Sequence, residues 1–375
     1  MHSILKEIQS LRDNQPLSID HRNTNRYRVV VFEKDGTKTA YCFGVPIYNN
    51  ETRRLVDLQF YQNQSGFRAT GSNAKITVSD TLTLQNNEGT CHISLPGKCL
   101  HFDKKQLAFQ NLSICATTNG VLFRATCPKE GYCFLLSTNR PFLNVRANNK
   151  AFSLMENDFQ PFVTVSCIGT VSNGGQVIAP ANITYEKLTE SDYQLSIFPT
   201  SPQSIEVEYE INLHEQKLFQ DTTVESDNPK VNNAFGCTAF IGNTPSYGEQ
   251  WLYSRLDTSR ISQLLDHPIN KAVLHFPMHD IGEVPLSAYR VSARFCSFGS
   301  NWSNKIAEST LLANTTVQGN YQHLDITNLT VDLNTRYLTN SDGLILKTKV
   351  KGSGFSAIAT GDSYYAPQIL EVNFR

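Results

Sequence analysis

The chain of 375 residues has little charge, and neither sign prevails. Charged residues make up 18% of it, and 33 Lys and Arg stand against 34 Asp and Glu, which gives a formal net charge of -1. Soluble domains carry roughly 25% charged residues. Binding to nucleic acid by counterion release needs a basic face, which this balance does not supply. The composition therefore argues against a nucleic-acid partner.

Long apolar runs are also missing. No window approaches the roughly 20 apolar residues of a membrane-spanning helix. Residues 1–30 contain no apolar stretch behind a basic start of the kind that forms a signal peptide. We therefore expect no membrane span and synthesis in the cytoplasm, with export, if it occurs, as part of a particle or to the cell surface by a dedicated route.

Nine cysteines are present, and no two of them have the C-x-x-C spacing of a zinc or redox site. A chain of this length does not need disulfides for stability, and a free Cys packs as a small hydrophobe. Cys42 in AYCFG and Cys296 in ARFCSF lie in apolar, strand-like runs. We therefore expect reduced, buried thiols.

Catalytic motifs are missing as well. There is no G-x-S-x-G elbow for a nucleophile, and no cysteine lies in a protease signature. TGSNAK and SNGGQ lack the strand, the lysine spacing and the helix of a phosphate-binding loop. His275 and His279 have the spacing of two metal ligands on a helix, but Pro277 and the strand-like pattern between them keep the imidazoles apart. We expect no enzyme activity, no metal and no cofactor.

The pattern that is present at the N-terminus predicts a short helix. Within the first 13 residues, Ile4, Ile8 and Leu11 are spaced to form one apolar stripe. A helix of this length is marginal alone and must pack on another surface. That surface is either its own domain or a partner subunit, and the second alternative makes these three residues a candidate interface in a homo-oligomer.

After residue 25 the apolar period changes to two, and short β-rich runs alternate with turn signals. A hairpin is predicted around Asp35-Gly36, and AYRVSARFCSF and QILEVNFR read as half-buried strands. In SIEVEYEINL the apolar residues alternate with Glu206, Glu208 and Glu210, which predicts one buried face and one solvated face. The sequence predicts an all-β fold.

Alternation stops near Glu215 and resumes after a turn-rich segment. We therefore predict an N-terminal helix and linker over residues 1–18, a first β-sandwich domain over 19–215 and a second one, jelly-roll-like as well, over 216–375.

The second half carries an ordered series of short motifs. It begins with DTTVESDNPKVNNAFG and continues through KAVLHF, SNWSNKIAEST, HLDITNLTVDL, DGLILKTK and APQILEVNF. In order and spacing, residues 221–375 resemble the DNRLRE domain, a jelly-roll-like sandwich related to carbohydrate-binding modules. EKDGTKTAYCFGVPIYNN and RRLVDLQFYQ more weakly resemble the region preceding that domain in wall-associated and Rhs-type proteins. The resemblance implies glycan contact or an architectural role.

Glycan sites stack sugar C–H faces on exposed aromatic rings that are flanked by hydrogen-bonding groups. The candidates are Trp251 and Tyr253, which share a strand face, and Tyr364 and Tyr365 in GDSYYAP. Trp302 matches the recurring Trp of the family and is predicted to be a core or loop-anchoring residue.

The basic row formed by Lys347, Lys349 and Lys351 is interpreted as a solvated sheet edge. These features together predict a non-catalytic binding or assembly protein at a bacterial envelope or in an exported particle, with a polysaccharide or a protein assembly as its partner. The alternative is a purely structural subunit of a phage-tail-like or injection-like assembly that contacts only protein.

Overall fold

The computed structural model describes residues 4–49, 54–126, 131–142, 144–172, 174–201, 206–215, 218–280, 284–330, 342–350, 352 and 354–375. These residues form two compact units. Unit 1 comprises Val56–Gln216 with Phe235–Thr238, and unit 2 comprises His2–Leu55, Lys217–Ala234 and Ala239–Arg375. None of the helices in this part of the chain is long and apolar enough to cross a membrane.

The elements follow one another almost entirely as strands, which confirms the all-β prediction. The first segment of unit 2 contains helix α1, Ile4–Leu11, and strands β1 to β4: Arg28–Phe32, Lys38–Phe43, Tyr48–Asn49 and Arg54–Leu55. Unit 1 contains β5 to β21: Gln59–Asn63, Gly66–Thr70, Lys75–Val78, Thr81–Gln85, Thr90–Ser94, His101–Phe102, Gln106–Ala108, Leu112–Ala116, Gly120–Thr126, Tyr132–Thr138, Asn144–Ala147, Ala151–Met155, Pro161–Val171, Val177–Ala179, Ala181–Lys187, Asp192–Pro199 and Glu206–Leu213.

The remaining elements belong to unit 2, apart from the first residue of β23. Strands β22 to β32 are Phe219–Glu225, Thr238–Thr244, Gly248–Leu256, Ile269–Pro277, Leu286–Val291, Glu308–Asn314, Thr316–Gln318, Tyr321–Asp325, Leu344–Thr348, Phe355–Ala359 and Ile369–Phe374. Two 3-10 segments, Thr258–Leu264 and Trp302–Asn304, and the four-residue helix α2, Thr327–Thr330, lie between them.

Unit 1 is a sandwich of sheet I and sheet II. Sheet I has the order β10-β11-β12-β13-β21-β17-β16-β15, with β18 paired to β17, and sheet II has the order β19-β20-β14-β9-β8-β7-β6-β5. The apolar residues that face inward, among them Ile76, Leu84, Phe123, Val165 and Tyr209, form one core. Alternation along each antiparallel strand supplies that core from both sheets.

The glutamate face of β21 is not solvated, so that prediction is wrong. Strand β21 pairs with β13 on one side and β17 on the other, which places it in the interior of sheet I. Glu208 and Glu210 are both buried. Arg124 forms an ion pair with Glu208, and the side-chain amide of Asn212 donates to Glu210 over 2.7 Å. Burial raises the pKa of Glu208 and Arg124 opposes that rise.

Unit 2 is a second sandwich, formed by sheet III and sheet IV. Sheet III has the order β1-β2-β32-β25-β29-β28, and sheet IV has the order β27-β26-β30-β24-β23-β31, with β22 paired to β24. Their shared core contains residues such as Ala40, Leu252, Leu274, Leu346 and Val372. Leu370, Val372 and Phe374 all face it, as the alternation in QILEVNFR predicts.

The two units differ from the predicted domains at the N-terminus, because residues 19–55 do not join residues 56–215. The predicted hairpin of β1 and β2 forms, with Gly36 at φ +83° in its turn. Its second strand then pairs antiparallel with β32, from Lys38 opposite Phe374 to Phe43 opposite Ile369. Strands from the first and last parts of the sequence are thus neighbours in sheet III.

Helix α1 packs on the outer face of sheet III, so its apolar stripe contacts its own chain. Ile4 and Ile8 are buried in a cluster with Val29, Val31 and Tyr41. Leu11 is partly buried against the same cluster. These residues are therefore not available as a partner interface. Of the two predicted alternatives, the helix packs on its own domain.

The cysteines are less uniformly buried than predicted. Cys42, Cys91, Cys167 and Cys237 are buried, Cys99 and Cys115 are partly buried, and Cys133 and Cys296 are exposed. Cys296 is exposed because β26 ends at Val291 and ARFCSF forms a loop rather than a strand. Cys127 lies outside the described residues. The eight described cysteines are free thiols in the structure.

A fragment of residues 216–375 should fold poorly, because it lacks the strand that pairs with β32. We expect this fragment to be insoluble or to unfold without cooperativity, whereas co-expression with residues 1–55 should yield a soluble complex. Circular dichroism melting and size-exclusion chromatography measure both outcomes. Cooperative unfolding of 216–375 alone, unchanged by the added segment, would show that β1 and β2 are dispensable.

Replacing Ile8 by Ala should destabilise unit 2 by about 2–5 kcal/mol, the usual cost of truncating a buried Ile. The molecular mass measured by light scattering should not change, since the side chain packs within its own unit. Lys6→Ala, on the exposed side of the same helix, is the matched control and should leave the urea midpoint nearly unchanged.

Candidate functional site

Sheet IV presents a second face, opposite the core, on which aromatic and basic side chains meet. Tyr253 pairs with Ile345, and Ile345 pairs with Tyr289 across three adjacent strands. Trp251, two residues before Tyr253, projects from the same face because strand side chains alternate. Lys347 projects there as well, two residues beyond Ile345.

A loop after β26 folds back over part of this face. Phe295, Trp302 and Ile306 from the loop pack against Val224 and Tyr253. The 3-10 turn that carries Trp302 is fixed by a capping box: the Asn301 side chain accepts from the backbone of Ser303 and Asn304, and the Asn304 side chain accepts from the backbone of Asn301.

The loop is tied to the rest of the unit at two further points. The Ser303 amide donates to the carbonyl of Pro229 over 2.8 Å. The Tyr253 hydroxyl donates to the carbonyl of Ile306 over 2.5 Å. The position of Trp302 therefore depends on contacts at both ends of its turn.

The two indoles lie against each other at the edge of this loop. The ring centroids of Trp251 and Trp302 are 4.9 Å apart and the planes are inclined by 55°. Both side chains are only partly buried. Lys347 Nζ lies 3.5 Å from the Trp251 centroid, and Lys305 Nζ lies 4.2 Å from the Trp302 centroid. Ammonium groups at these distances are attracted to the negative face of an aromatic ring.

Two carboxylates complete the group, which we call the tryptophan cluster: Trp251, Trp302, Lys305, Lys347, Glu249 and Glu308. Glu249 accepts a hydrogen bond from Trp251 Nε1 over 2.9 Å. Glu308 forms an ion pair with Lys347. The cluster thus combines two aromatic faces with donors and acceptors of both charges at the surface of unit 2.

The structure does not bring the four predicted ligand-binding residues together. Tyr253 and Tyr364 are buried, so neither ring presents a face to a ligand. Tyr253 belongs to the apolar cluster beneath the loop, and Tyr364 packs in the cluster under α1. Tyr365 is partly buried. Trp251 alone of the four lies in the tryptophan cluster, and Trp302, predicted as a core or loop-anchoring residue, is its neighbour.

Three members of the cluster, Lys305, Glu249 and Glu308, are not singled out by the sequence. Glu249 is two residues from Trp251, and alternation places both on one face, which is a usable signal. Lys347 was interpreted as part of a solvated edge, but β30 lies between β26 and β24 inside sheet IV. Lys349 is exposed just beyond the strand, and Lys351 lies outside the described residues.

The structure pairs His275 with His323 and not with His279, the residue that the sequence spacing suggests. His275 on β25 is opposite His323 on β29, and the Nδ1 atoms of these two rings are 2.6 Å apart. Burial lowers the pKa of His279 to about 4. Within the described ranges, no group of three or more His, Cys, Asp or Glu side chains could hold a metal ion.

Comparison with known proteins adds little to this geometry. No protein-family model matches the chain, and no curated protein matches it either. One solved structure, SGBP-B from a complex xyloglucan utilization locus in Bacteroides uniformis, is 12% identical, with 96% of this chain and 98% of that chain covered and a TM-score of 0.14. At that TM-score the likeness carries no argument about fold or function.

Replacing Tyr253 by Phe should destabilise unit 2 by about 1 kcal/mol or somewhat more, because the Ile306 carbonyl loses its buried donor. Tyr289→Phe on the same sheet face is the control, since the Tyr289 hydroxyl has no hydrogen bond within the described part of the chain. Urea unfolding followed by tryptophan fluorescence measures both variants. Equal midpoints for the two would show that the Tyr253 hydroxyl does not fix the loop.

Proposed function

We propose that the chain is a non-catalytic binding protein and that the tryptophan cluster of unit 2 contacts a glycan. The observation that carries the proposal is the pair of partly buried indoles 4.9 Å apart, flanked by Lys305, Lys347 and the carboxylates of Glu249 and Glu308. Sugars bind proteins by stacking C–H faces on aromatic rings while charged and amide groups bond their hydroxyls. The cluster offers both elements on one outward face.

Binding would require a rearrangement of the lysines. Both ammonium groups lie over the indoles in the structure, so a sugar ring that stacks on Trp251 or Trp302 displaces at least one of them. Lysine side chains are long and flexible, and a displaced ammonium remains within reach of sugar hydroxyls. The loop bonds at Pro229 and Ile306 hold Trp302 in place during this exchange.

The resemblance of residues 221–375 to the DNRLRE domain supports the same proposal, because that domain is related to carbohydrate-binding modules. We extend it to a role at a bacterial envelope or in an exported particle. The alternative, a structural subunit that contacts only protein, makes no use of the partly exposed indoles.

Tryptophan emission of the full chain tests the proposal directly, because the chain has only two tryptophans and both lie in the cluster. Titration with a panel of bacterial and plant polysaccharides should shift or quench the emission saturably for at least one of them. Trp302→Ala should weaken that binding at least tenfold, as measured by isothermal titration calorimetry. Phe159→Ala, at an aromatic residue of unit 1 that is 63% exposed, should leave the affinity unchanged.

Two outcomes would contradict the glycan proposal. One is the absence of binding by the intact chain across the panel, which would favour the structural alternative. The other is binding that survives both Trp302→Ala and Trp251→Ala, which would place the glycan outside the tryptophan cluster.

A further inference from the structure

The outer face of sheet III carries a second polar group beside helix α1, formed by His275, His323 and Glu371. His275 is 2% exposed and lies between β29 and β32 in the sheet. Its Nε2 is 3.0 Å from Glu371 Oε2, and its Nδ1 is 2.6 Å from His323 Nδ1. His323 Nε2 is 3.3 Å from the carbonyl oxygen of Gln318. We call these residues the histidine cluster.

The partners of the ring nitrogens fix the number of protons. A carboxylate and a backbone carbonyl only accept hydrogen bonds, so Nε2 of each imidazole must carry a hydrogen. Two nitrogens 2.6 Å apart must share one hydrogen between them, because two lone pairs or two N–H groups would repel. The three contacts therefore need three ring protons, whereas two neutral imidazoles carry two.

A proton on Glu371 instead of His275 Nε2 would leave the total unchanged, since the cluster would still hold three. An imidazole is the stronger base of the two groups, which places the extra proton on the rings. The resulting single positive charge is balanced by the Glu371 carboxylate, in keeping with the rule that buried charges are paired.

We infer that His275 and His323 share one excess proton and that this cluster makes the stability of unit 2, and the attachment of the β28–β29 hairpin, sensitive to pH. The hairpin is connected to the cluster through the Gln318 carbonyl. The Gln318 side chain in turn donates to Asp13, just after α1, over 2.9 Å. A change in the proton count therefore acts on a turn that touches the end of the helix.

The sign of the pH dependence follows from comparing the folded and unfolded chains. An unfolded histidine titrates near about pH 6.5, where two of them together hold three ring protons. Above that pH the folded cluster holds more protons than the unfolded pair, so its contribution to stability falls as pH rises. Below it the unfolded pair holds more, so the contribution falls as pH decreases. The contribution is therefore largest near about pH 6.5.

The surroundings oppose a charge on His323, so the contact of His275 with the Glu371 carboxylate must offset that cost for the pair to hold the excess proton. Burial, and then the neighbouring His275, lower the pKa of His323. The ionisable groups that face the cluster from the elements around it are Glu371 on β32, Lys271 on β25, Tyr321 and Asp325 on β29, Tyr41 on β2 and Glu7 on α1.

Glu7 needs separate treatment in a test. Burial raises its pKa to about 7, and the hydrogen bond from the Tyr321 hydroxyl opposes that rise. A carboxyl whose pKa is raised on folding stabilises the folded state at low pH and loses that effect as pH rises towards 7. Below about pH 6.5 it would therefore mask the rise of the histidine contribution with pH, and Glu7→Gln removes this contribution.

The test compares Glu7→Gln with Glu7→Gln/His275→Gln/His323→Gln, which lacks both imidazoles, from pH 5 to 8.5. Urea unfolding followed by tryptophan fluorescence reports on unit 2 alone, because both tryptophans belong to it. The unfolding constant of the triple variant divided by that of Glu7→Gln should be largest near pH 6.5 and decline on both sides, by up to about tenfold per pH unit. A ratio that does not vary with pH would overturn the inference. His21→Gln, at an exposed histidine of unit 2, is the control for histidine loss.

A measurement on the wild-type chain covers the case in which the triple variant does not fold. In long-range 1H–15N spectra of protein labelled at histidine nitrogen, three of the four ring nitrogens of His275 and His323 should be protonated at pH 6.5. His279, whose pKa is lowered to about 4 by burial, serves as the neutral reference. One protonated nitrogen on each ring at that pH would contradict the shared proton.

Discussion

The antiparallel pairing of β2 with β32 is the constraint on which unit 2 depends. It joins the strand at residues 38–43 to the strand at residues 369–374, which are separated by more than three hundred residues of chain. Because β32 also pairs with β25, both of these strands lie in the interior of sheet III. Closing so long a loop costs entropy, and the contacts on both faces of the sheet must offset that cost.

In each sheet of unit 2, the inner face and the outer face make different contacts. The inner faces share one apolar core. The outer face of sheet III is covered by α1, and the outer face of sheet IV is partly covered by the loop that carries Trp302. The histidine cluster lies beside α1, and the tryptophan cluster combines Trp302 and Lys305 of the loop with Trp251 and Lys347 of sheet IV.

The local period of the sequence predicts much of this fold. Alternation identified the β1–β2 hairpin and the apolar face of β32, and the spacing of Ile4 and Ile8 identified a helix. Periodicity cannot show which distant strands become neighbours, so residues 19–55 were placed in the wrong unit. It also cannot distinguish a solvated polar face from a covered one, which is why the face of Glu208 and Glu210 is predicted to be solvated although both residues are buried.

The candidate site was predictable only in part for the same reason. Trp251 stands out by its residue type. Tyr253 shares its strand face but is buried, because the loop covers Tyr253 fully and Trp251 only in part. Lys305 and Glu308 reach the indoles only through that loop and the strand that follows it. The pairing of His275 with His323 instead of His279 depends on the register of β25 and β29, which the sequence does not state.

Hydrogen exchange followed by mass spectrometry tests the central pairing most directly. If β2 and β32 form one ladder, peptides that cover residues 38–43 and 369–374 should exchange slowly, at matching rates and with the same dependence on urea. Their protection should be lost together when unit 2 unfolds. Fast exchange of residues 38–43 while residues 369–374 stay protected would contradict the account. Loss of protection of residues 38–43 at the urea concentration that exposes residues 206–213 of unit 1, and not at the one that exposes residues 369–374, would contradict it as well.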